Sequence, residues 1–353
     1  MFVNRCNGQL IKGLPETIPS PSTDVDAVRM LLNQCPAHAE TPLISAPTLA
    51  QTIGVASIHI KDERSRMGLG SFKALGAAYV IACDAAARKN QDMAAALAGQ
   101  TYVTASAGNH GLSVAAGARI FGAKAVIYLA KTVPASFADK LRAKGAEVVI
   151  EGNDYEASMQ AAQSAASQNG WRLLSDSSWD GYTSAPHRLM EGYLQMAAEA
   201  FDALPTAPTH IMLQAGVGGL AGAVAALARK RYGEAPTIIV VEPEAAPALI
   251  ESVKAGEPVI THGPVSNMGR LDCKEPSLIA LKGLARDATF FVTISDQQAL
   301  NALKPLDNAE LATTPSGGAG VAALLAASEG ERAKLGLNSG SHVLCFLSEE
   351  PSP

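Results

Sequence analysis

Short apolar segments rich in β-branched residues alternate with Ala-rich segments along most of the chain. The short segments are apolar at successive positions, which is typical of strands covered on both faces. The Ala-rich segments predict helices, and alternating strands and helices favour an open, mostly parallel sheet, or two of them. The predicted strands are 57–60, 101–105, 125–129, 147–151, 172–175, 210–214, 237–242, 290–294 and 342–347.

Two regions depart from this alternation. Prolines make residues 1–40 irregular, except for a short predicted helix from Asp24 to Asn33 with Thr23 or Asp24 as its cap. The stretch 101–175 holds four predicted strands with their own helices, which is enough for a small inserted domain. The fold class is therefore α/β.

Composition narrows the possible partners. The 353 residues are 48% hydrophobic and carry a net charge of -5, which disfavours nucleic acid and anionic membranes as partners. The first residues lack the apolar stretch of a signal peptide, and the longest apolar run, 216–228, is too short to span a bilayer. Five scattered cysteines, an odd number, fit a reducing cytoplasm better than a disulfide framework.

The lysine at position 73 is the first candidate for chemistry. It lies between an apolar predicted strand, 57–60, and an apolar helix start at Ala74. Burial lowers the pKa of an amine, and a neutral amine can form a Schiff base with an aldehyde. Taken alone, a lysine in this position is more often an ordinary surface lysine near a helix N-terminus.

Three further motifs each follow a predicted strand or lead into one. Residues 104–111 are small and polar and offer amides at a helix start, although a plain turn with an Asn cap would have the same pattern. The glycine loop, residues 216–220, predicts phosphate binding, and taken alone it also nearly fits a dinucleotide fingerprint with Glu242 as the acid. Ser348 lies at the end of the last predicted strand, which follows the Gly-rich stretch 313–320. The carboxyl end of a strand is where α/β proteins bind ligands, although a serine that simply starts a turn would have the same position.

Together these motifs resemble the fold-type II pyridoxal-phosphate enzymes, the tryptophan synthase β-like family. The order is the same from about Thr41 to Ser348: Ser-Phe-Lys at 71–73, Ser-Ala-Gly-Asn-His-Gly at 106–111, a glycine loop, and a serine after the C-terminal strand. Within the family the chain looks most similar to diaminopropionate ammonia-lyases. The stretches that carry this likeness are 61–69, 72–76, 176–183, 214–218 and 241–243.

The resemblance implies two open, twisted, mostly parallel sheets covered by helices. A small mobile domain, residues 81–184, would carry the Asn109 loop and be inserted in a large cofactor-binding domain, residues 1–80 and 185–353. It also implies a homodimer that acts on a small amino-acid substrate.

The resemblance also assigns residues to the cofactor, pyridoxal 5'-phosphate. Lys73 would hold it as a Schiff base, Phe72 would flank its ring, Asn109 would donate to its ring hydroxyl, and Ser348 would face the pyridine nitrogen. A neutral hydroxyl there makes the ring a weaker electron sink, which suits rapid loss of a β leaving group. The phosphate would be held by Gly216, Val217, Gly218, Gly219 and Leu220. The substrate α-carboxylate would bind amides at Ser106, Ala107, Gly108 and His110.

The implied reaction is β-elimination from a small L-amino acid. Lys73, kept near neutrality by the cofactor and by burial, would take the α-proton, and the product would hydrolyse to a 2-oxo acid and ammonia. The first candidate substrate is L-2,3-diaminopropionate, giving pyruvate and ammonia. Alternatives are dehydration of serine, threonine or 3-hydroxyaspartate, β-replacement by an external nucleophile, a cofactor-holding protein without turnover, and a protein that binds NAD.

The sequence departs from its relatives at several positions. Ala107 stands where diaminopropionate lyases have an Asp and racemases a Ser, so we expect neither racemase activity nor efficient turnover of D-amino acids. Ala248 stands where a second carboxylate would join Glu242 in a divalent-cation site, so no metal is expected. The stretches 65–66 and 179–182 are predicted to shape the substrate side. Asp180 is predicted either to meet a β-amino group or to cap a helix.

Overall fold

The computed structural model describes residues 1–4, 11–88 and 92–351. In these residues the chain forms eleven strands, which make two separate sheets. The strands are β1 (Phe2–Val3), β2 (Leu43–Ser45), β3 (Ser57–Asp62), β4 (Thr101–Ala105), β5 (Lys124–Leu129), β6 (Glu147–Ile150), β7 (Arg172–Leu173), β8 (His210–Gln214), β9 (Thr237–Pro243), β10 (Phe290–Ile294) and β11 (His342–Leu347).

Helices fill most of the connections between these strands, and the described residues contain fourteen α-helices. They are α1 (Val25–Leu32), α2 (Pro47–Ile53), α3 (Ala74–Ala87), α4 (Asn109–Ile120), α5 (Ala135–Ala143), α6 (Tyr155–Asn169), α7 (Ser184–Gly192), α8 (Leu194–Ala203), α9 (Gly219–Tyr232), α10 (Ala248–Ala255), α11 (Leu278–Asp287), α12 (Asp296–Asn308), α13 (Ala319–Ala326) and α14 (Glu329–Leu335). Short 3-10 turns lie at Arg66–Gly68 and Met93–Ala95. Measured over the described ranges, no helix has the length and apolar character needed to cross a bilayer.

The larger sheet has seven strands in the order β1-β10-β9-β8-β11-β3-β2. Its interior pairs are parallel, and only the two edge strands, β1 and β2, run antiparallel to their neighbours. All five residues of β8 and six of the seven in β9 are buried, because helices cover both faces. This explains why the interior strands are apolar at successive positions.

The smaller sheet has four parallel strands in the order β6-β5-β4-β7. Its strands span residues 101–173, within the range predicted for the small domain. The predicted fold class, two mostly parallel sheets covered by helices, is confirmed.

The predicted strands all occur, with ends within two residues of the prediction. The predicted N-terminal helix is α1, and the Asp24 side chain caps it by accepting the Ala27 amide. The pattern missed β1 and β2, which have two and three residues and are too short to show any period.

A buried ionic network links β3 to α8. Arg66 pairs with Glu63 at 2.8 Å and with Glu199 at 2.6 Å, and Lys61 pairs with Glu199 at 2.6 Å. Arg66 and Glu63 are fully buried. The prediction that Arg66 shapes the substrate side is therefore wrong, because its guanidinium is committed to this network.

Candidate active site

The chain between β3 and α3 holds Lys73 against the end of β11. The Phe72 amide donates to the Ser348 carbonyl oxygen at 3.1 Å, and Ser71 forms an isolated antiparallel bridge with Glu349. Lys73 is the last residue before α3. The predicted cofactor residues Phe72, Lys73 and Ser348 therefore lie together at the carboxyl edge of the larger sheet.

Aromatic rings lie beside the Lys73 amine. Its Nζ is 5.2 Å from the centre of the Phe72 ring and 5.7 Å from that of Tyr193, and the two rings are 4.8 Å apart. Both aromatic residues are buried. The Lys73 side chain therefore runs between apolar rings, and one of them belongs to Phe72, the residue that the resemblance assigns to flank the cofactor ring.

The amine ends on a carboxylate that the sequence did not single out. Lys73 Nζ lies 2.6 Å from Asp176 Oδ2, and each side chain is only about a fifth exposed. Asp176 follows β7, so this ion pair joins the two sheets. In the sequence, Asp176 only begins the stretch 176–183, which carries part of the family resemblance and suggests no chemical role for this residue.

The charges of Lys73 and Asp176 follow from their contact with each other. Burial lowers the pKa of Lys73, but the Asp176 carboxylate outweighs burial and raises that pKa above its ordinary value. Burial raises the pKa of Asp176, whereas Lys73 and His110 hold it well below its usual range. In this structure Lys73 and Asp176 form an ammonium–carboxylate pair. The near-neutral amine is expected with the cofactor beside it and stays a prediction.

The tautomer of His110 follows from its contacts. Its Nε2 lies 2.7 Å from the Leu174 carbonyl oxygen, which only accepts, so Nε2 carries the proton. Nδ1 is buried and has no hydrogen-bond partner among the described residues. Burial lowers the pKa of His110, so the ring is neutral and Nδ1 can accept a hydrogen bond.

The loop predicted to bind a carboxylate, residues 106–110, offers fewer amides than expected. The Ser106 amide donates to the Tyr128 carbonyl oxygen, and the Gly108 amide donates to Ser106 Oγ at 3.2 Å. Ser106 Oγ also accepts from the Gly111 amide. Ser106 and Gly108 thus shape the loop, so the amides left for a ligand are those of Ala107, Asn109 and His110.

Asn109 begins α4 and reaches the end of β11. Its Nδ2 donates to Glu349 Oε2, and the Thr314 hydroxyl donates to the other oxygen of the same carboxylate. Burial raises the pKa of Glu349. Asn109 and Ser348 are thereby close neighbours, and Glu349 is a further site residue that the sequence did not reveal.

The glycine loop cannot accommodate larger side chains. A Cβ on Gly216 would lie 3.0 Å from Cys273 Sγ and 3.1 Å from Leu271 Cα. Gly218 has φ +99°, a conformation that favours glycine. The loop runs from β8 into the first turn of α9, whose amides lack intrahelical partners. This is a backbone cradle suited to a phosphate.

Cys273 also lies at this cradle. Burial raises the pKa of its thiol to about 12, so the sulfur stays neutral and does not repel an anion. Lys73, Asn109, Ser348 and the amides of the glycine loop therefore provide a cationic amine, an amide donor, a hydroxyl and a phosphate cradle. These donors fit pyridoxal phosphate.

Asp180 and Glu242, the two carboxylates considered for ligand binding, make other contacts. Asp180 is exposed in the turn 179–182, where the Trp179 ring stacks on Tyr182 at 4.3 Å, and α7 starts after Thr183. It therefore caps no helix, and the carboxylate that reaches Lys73 is Asp176. Both oxygens of Glu242 accept amides at the start of α10, at 2.8 Å each. Within the described ranges no cluster of His, Cys, Asp and Glu could hold a metal ion.

A buried lysine and a glycine cradle at the carboxyl ends of parallel strands define an α/β enzyme that works through a lysine-bound cofactor. The chain matches the family described as pyridoxal-phosphate dependent enzyme over residues 35–349. It belongs to that family, so the predicted resemblance and cofactor are confirmed and the NAD alternative is wrong.

Individual relatives agree with this assignment. The chain is 36% identical to diaminopropionate ammonia-lyase of Salmonella typhimurium over 282 residues, 74% of this chain and 70% of the relative. It is 29% identical to L-serine dehydratase/L-threonine deaminase of Mus musculus over 320 residues, 89% of this chain and 86% of the relative.

A solved structure is similar over nearly the whole chain. It is the crystal structure of diaminopropionate ammonia lyase from Escherichia coli in complex with an aminoacrylate-PLP azomethine reaction intermediate. The TM-score is 0.88 at 29% identity, covering 99% of this chain and 93% of that one.

Proposed function

We propose that this chain is a pyridoxal-phosphate-dependent carbon–nitrogen lyase that performs β-elimination on a small L-amino acid. The first candidate substrate is L-2,3-diaminopropionate, with pyruvate and ammonia as products. The observation that carries the proposal is the Lys73–Asp176 pair, with 2.6 Å between Nζ and Oδ2. The 36% identity to a diaminopropionate ammonia-lyase supports the choice of substrate.

Several residues would hold the cofactor. Lys73 anchors it, Phe72 flanks its ring, Asn109 donates to its ring hydroxyl, and Ser348 faces its ring nitrogen. When bound, pyridoxal phosphate supplies an electron-withdrawing ring that stabilises negative charge at the substrate Cα. The amides of the loop that comprises Gly216, Val217, Gly218, Gly219 and Leu220 hold its phosphate.

Two side chains would then act on the substrate. With the cofactor in place Lys73 would be a neutral amine, and its Nζ, beside the Phe72 and Tyr193 rings, would take the α-proton. Asp176, whose pKa is held low, stays ionised and attracts a cationic β-amino group to the same face as the amine. We therefore transfer to Asp176 the substrate contact predicted for Asp180.

The substrate's α-carboxylate would bind the 106–110 loop. Ala107 and His110 contribute their amides, while Ser106 and Gly108 hold the loop in shape. The neutral His110 ring, with Nδ1 as an acceptor, can receive a hydrogen bond from a donor on the substrate.

A second candidate function is dehydration of serine, threonine or 3-hydroxyaspartate. The similarity to a mammalian serine and threonine dehydratase favours it. A neutral hydroxyl leaving group gains little from the Asp176 carboxylate, whereas a cationic β-amino group is attracted by it. The preference for diaminopropionate over hydroxy amino acids therefore depends on Asp176.

The domain arrangement and setting are part of the proposal. We propose that residues 81–184 form a small domain that moves against residues 1–80 and 185–353, since Asp176 and Lys73 come from different sheets. A cytoplasmic homodimer is proposed as well. Free cysteines at 35, 83, 273 and 345 support a reducing compartment.

The test is a substrate panel with the cofactor-loaded protein. L-2,3-diaminopropionate, L-serine, L-threonine and the 3-hydroxyaspartates are assayed for ammonia and 2-oxo acid, with and without an added thiol. Elimination releases both products, whereas β-replacement consumes the thiol without releasing pyruvate. A Lys73→Ala variant should release neither product, and turnover that survives this change would overturn the proposal.

A further inference from the structure

A cavity of about 380 Å³ opens beside the 106–110 loop, and the proposed function leaves it unused. Its lining includes Ala107 together with Ser136, Lys140 and Arg270. Every charged residue of the wall, in the described part of the chain, is cationic. A cavity of this character selects a ligand group that carries negative charge.

Arg270 is fixed at the boundary between this cavity and the reaction site. Its Nη1 donates to the Ala107 carbonyl oxygen at 2.9 Å, and its Nε lies 3.7 Å from Glu349. The backbone amide of Arg270 is held by Ser316 Oγ. A guanidinium has five N–H donors in a fork that matches a carboxylate, so Arg270 keeps donors free for a ligand.

Helix α5 contributes to the lining as well. It begins at Ala135, and Ser136 and Lys140 are four residues apart on one helix face. The first-turn amides add partial positive charge beside the Ser136 hydroxyl. A guanidinium and an ammonium therefore line the same cavity as Ala107.

We propose that this cavity binds a second carboxylate of the substrate. Among amino acids with the same leaving group, the one with an additional carboxylate on Cβ would be preferred. This inference rests on the proposed function, because the α-carboxylate must first be held at the neighbouring loop. Diaminopropionate and serine would still react, and the second carboxylate adds contacts to Arg270 and Lys140.

The experiment compares L-serine with L-3-hydroxyaspartate, which share a hydroxyl leaving group and differ only in the second carboxylate. In the wild type, kcat/KM for hydroxyaspartate should exceed that for serine by about tenfold or more, the value of one charge-assisted contact. Arg270→Gln and Lys140→Gln should each reduce this ratio. The matched control is Lys144→Gln, at the far end of α5, which should leave the ratio unchanged.

A binding measurement gives a readout that does not depend on turnover. Calorimetric titration of the cofactor-loaded protein with succinate and with butyrate compares two carboxylates with one, and Arg270→Gln should weaken succinate selectively. Equal binding of the two acids, or a ratio that Arg270→Gln and Lys140→Gln do not move, would overturn the inference. If serine reacts without any gain for hydroxyaspartate, only this inference fails. If no amino acid releases ammonia, the proposed function fails, and the titration still decides whether the cavity binds a second carboxylate.

Discussion

Lys73 and Asp176 are 103 positions apart in the chain and come from two different sheets, yet Nζ and Oδ2 lie 2.6 Å apart. Lys73 follows the larger sheet through β3, and Asp176 follows the smaller one through β7. The pair fixes the protonation of the amine, because the carboxylate overrides the effect of burial. Chemistry at Lys73 therefore depends on how the two sheets are held together.

Replacing Asp176 by Asn should lower the pKa of Lys73, since burial then acts without its counter-ion. We expect turnover of diaminopropionate to fall about 100-fold, because a charge-assisted contact to the β-amino group is lost. The pH profile of kcat should shift toward lower pH, while the absorbance of the bound cofactor is retained. Asp180→Asn is the control and should keep its turnover. If Asp180→Asn lost turnover and Asp176→Asn kept it, Asp180 would be the residue that contacts the substrate.

Gly216→Ala should weaken cofactor binding by about tenfold or more, because the new Cβ would approach Cys273 Sγ and the Leu271 backbone. Titration of the apoprotein with pyridoxal phosphate measures the change. Gly330→Ala, in α14 and with open space around it, is the matched control and should bind as the wild type does. Unchanged affinity in Gly216→Ala, in a variant whose thermal unfolding is normal, would exclude the loop as the phosphate site.

The side chain of Ala107 carries no proton, so we expect L-amino acids to be turned over at least about 100-fold faster than their D isomers. Ala107→Asp introduces a proton carrier at that position, and turnover of D-diaminopropionate should rise. Chiral chromatography and ammonia release measure both effects. Wild-type protein that consumes both isomers at similar rates would show that another group serves the D isomer.

The network around Arg66 predicts a pH-dependent stability. Burial raises the pKa of Glu199, but Arg66 and Lys61 outweigh it and lower that pKa to about 2. The stabilisation is therefore complete above the ordinary pKa of a Glu and is lost as the pH falls toward 2. Between pH 6 and pH 3 the free energy of unfolding should fall by about 2 kcal/mol from this group alone.

Urea unfolding at several pH values checks this prediction. Glu199→Gln should be less stable at neutral pH and should lack this part of the acid dependence. Glu244→Gln, at an exposed position, should keep it. If the free energy of unfolding of Glu199→Gln fell with acid as the wild type's does, groups other than Glu199 would cause the acid dependence.

The strands and the backbone motifs were predictable because they depend on local sequence. The apolar runs of β8 and β9 follow from burial on both faces, and the glycine loop follows from backbone geometry that only small residues permit. The short edge strands β1 and β2 contain too few residues to form a pattern.

Long-range partners were not predictable in the same way. Asp176, Glu349 and Arg270 act through contacts with residues between 103 and 240 positions away. Nothing in their own neighbourhood indicates those partners. Asp180 was predicted to meet a β-amino group, yet it lies exposed in the turn where the Trp179 and Tyr182 rings stack.

The contacts of Asn109 have a consequence for the loading of the enzyme. Its amide is already occupied by Glu349, as the Lys73 amine is by Asp176. A ligand that binds Asn109 and Lys73 therefore competes with two carboxylates of the protein itself. A weak ligand cannot replace both contacts, so a Glu349→Gln variant should bind pyridoxal phosphate faster but discriminate less against other ligands.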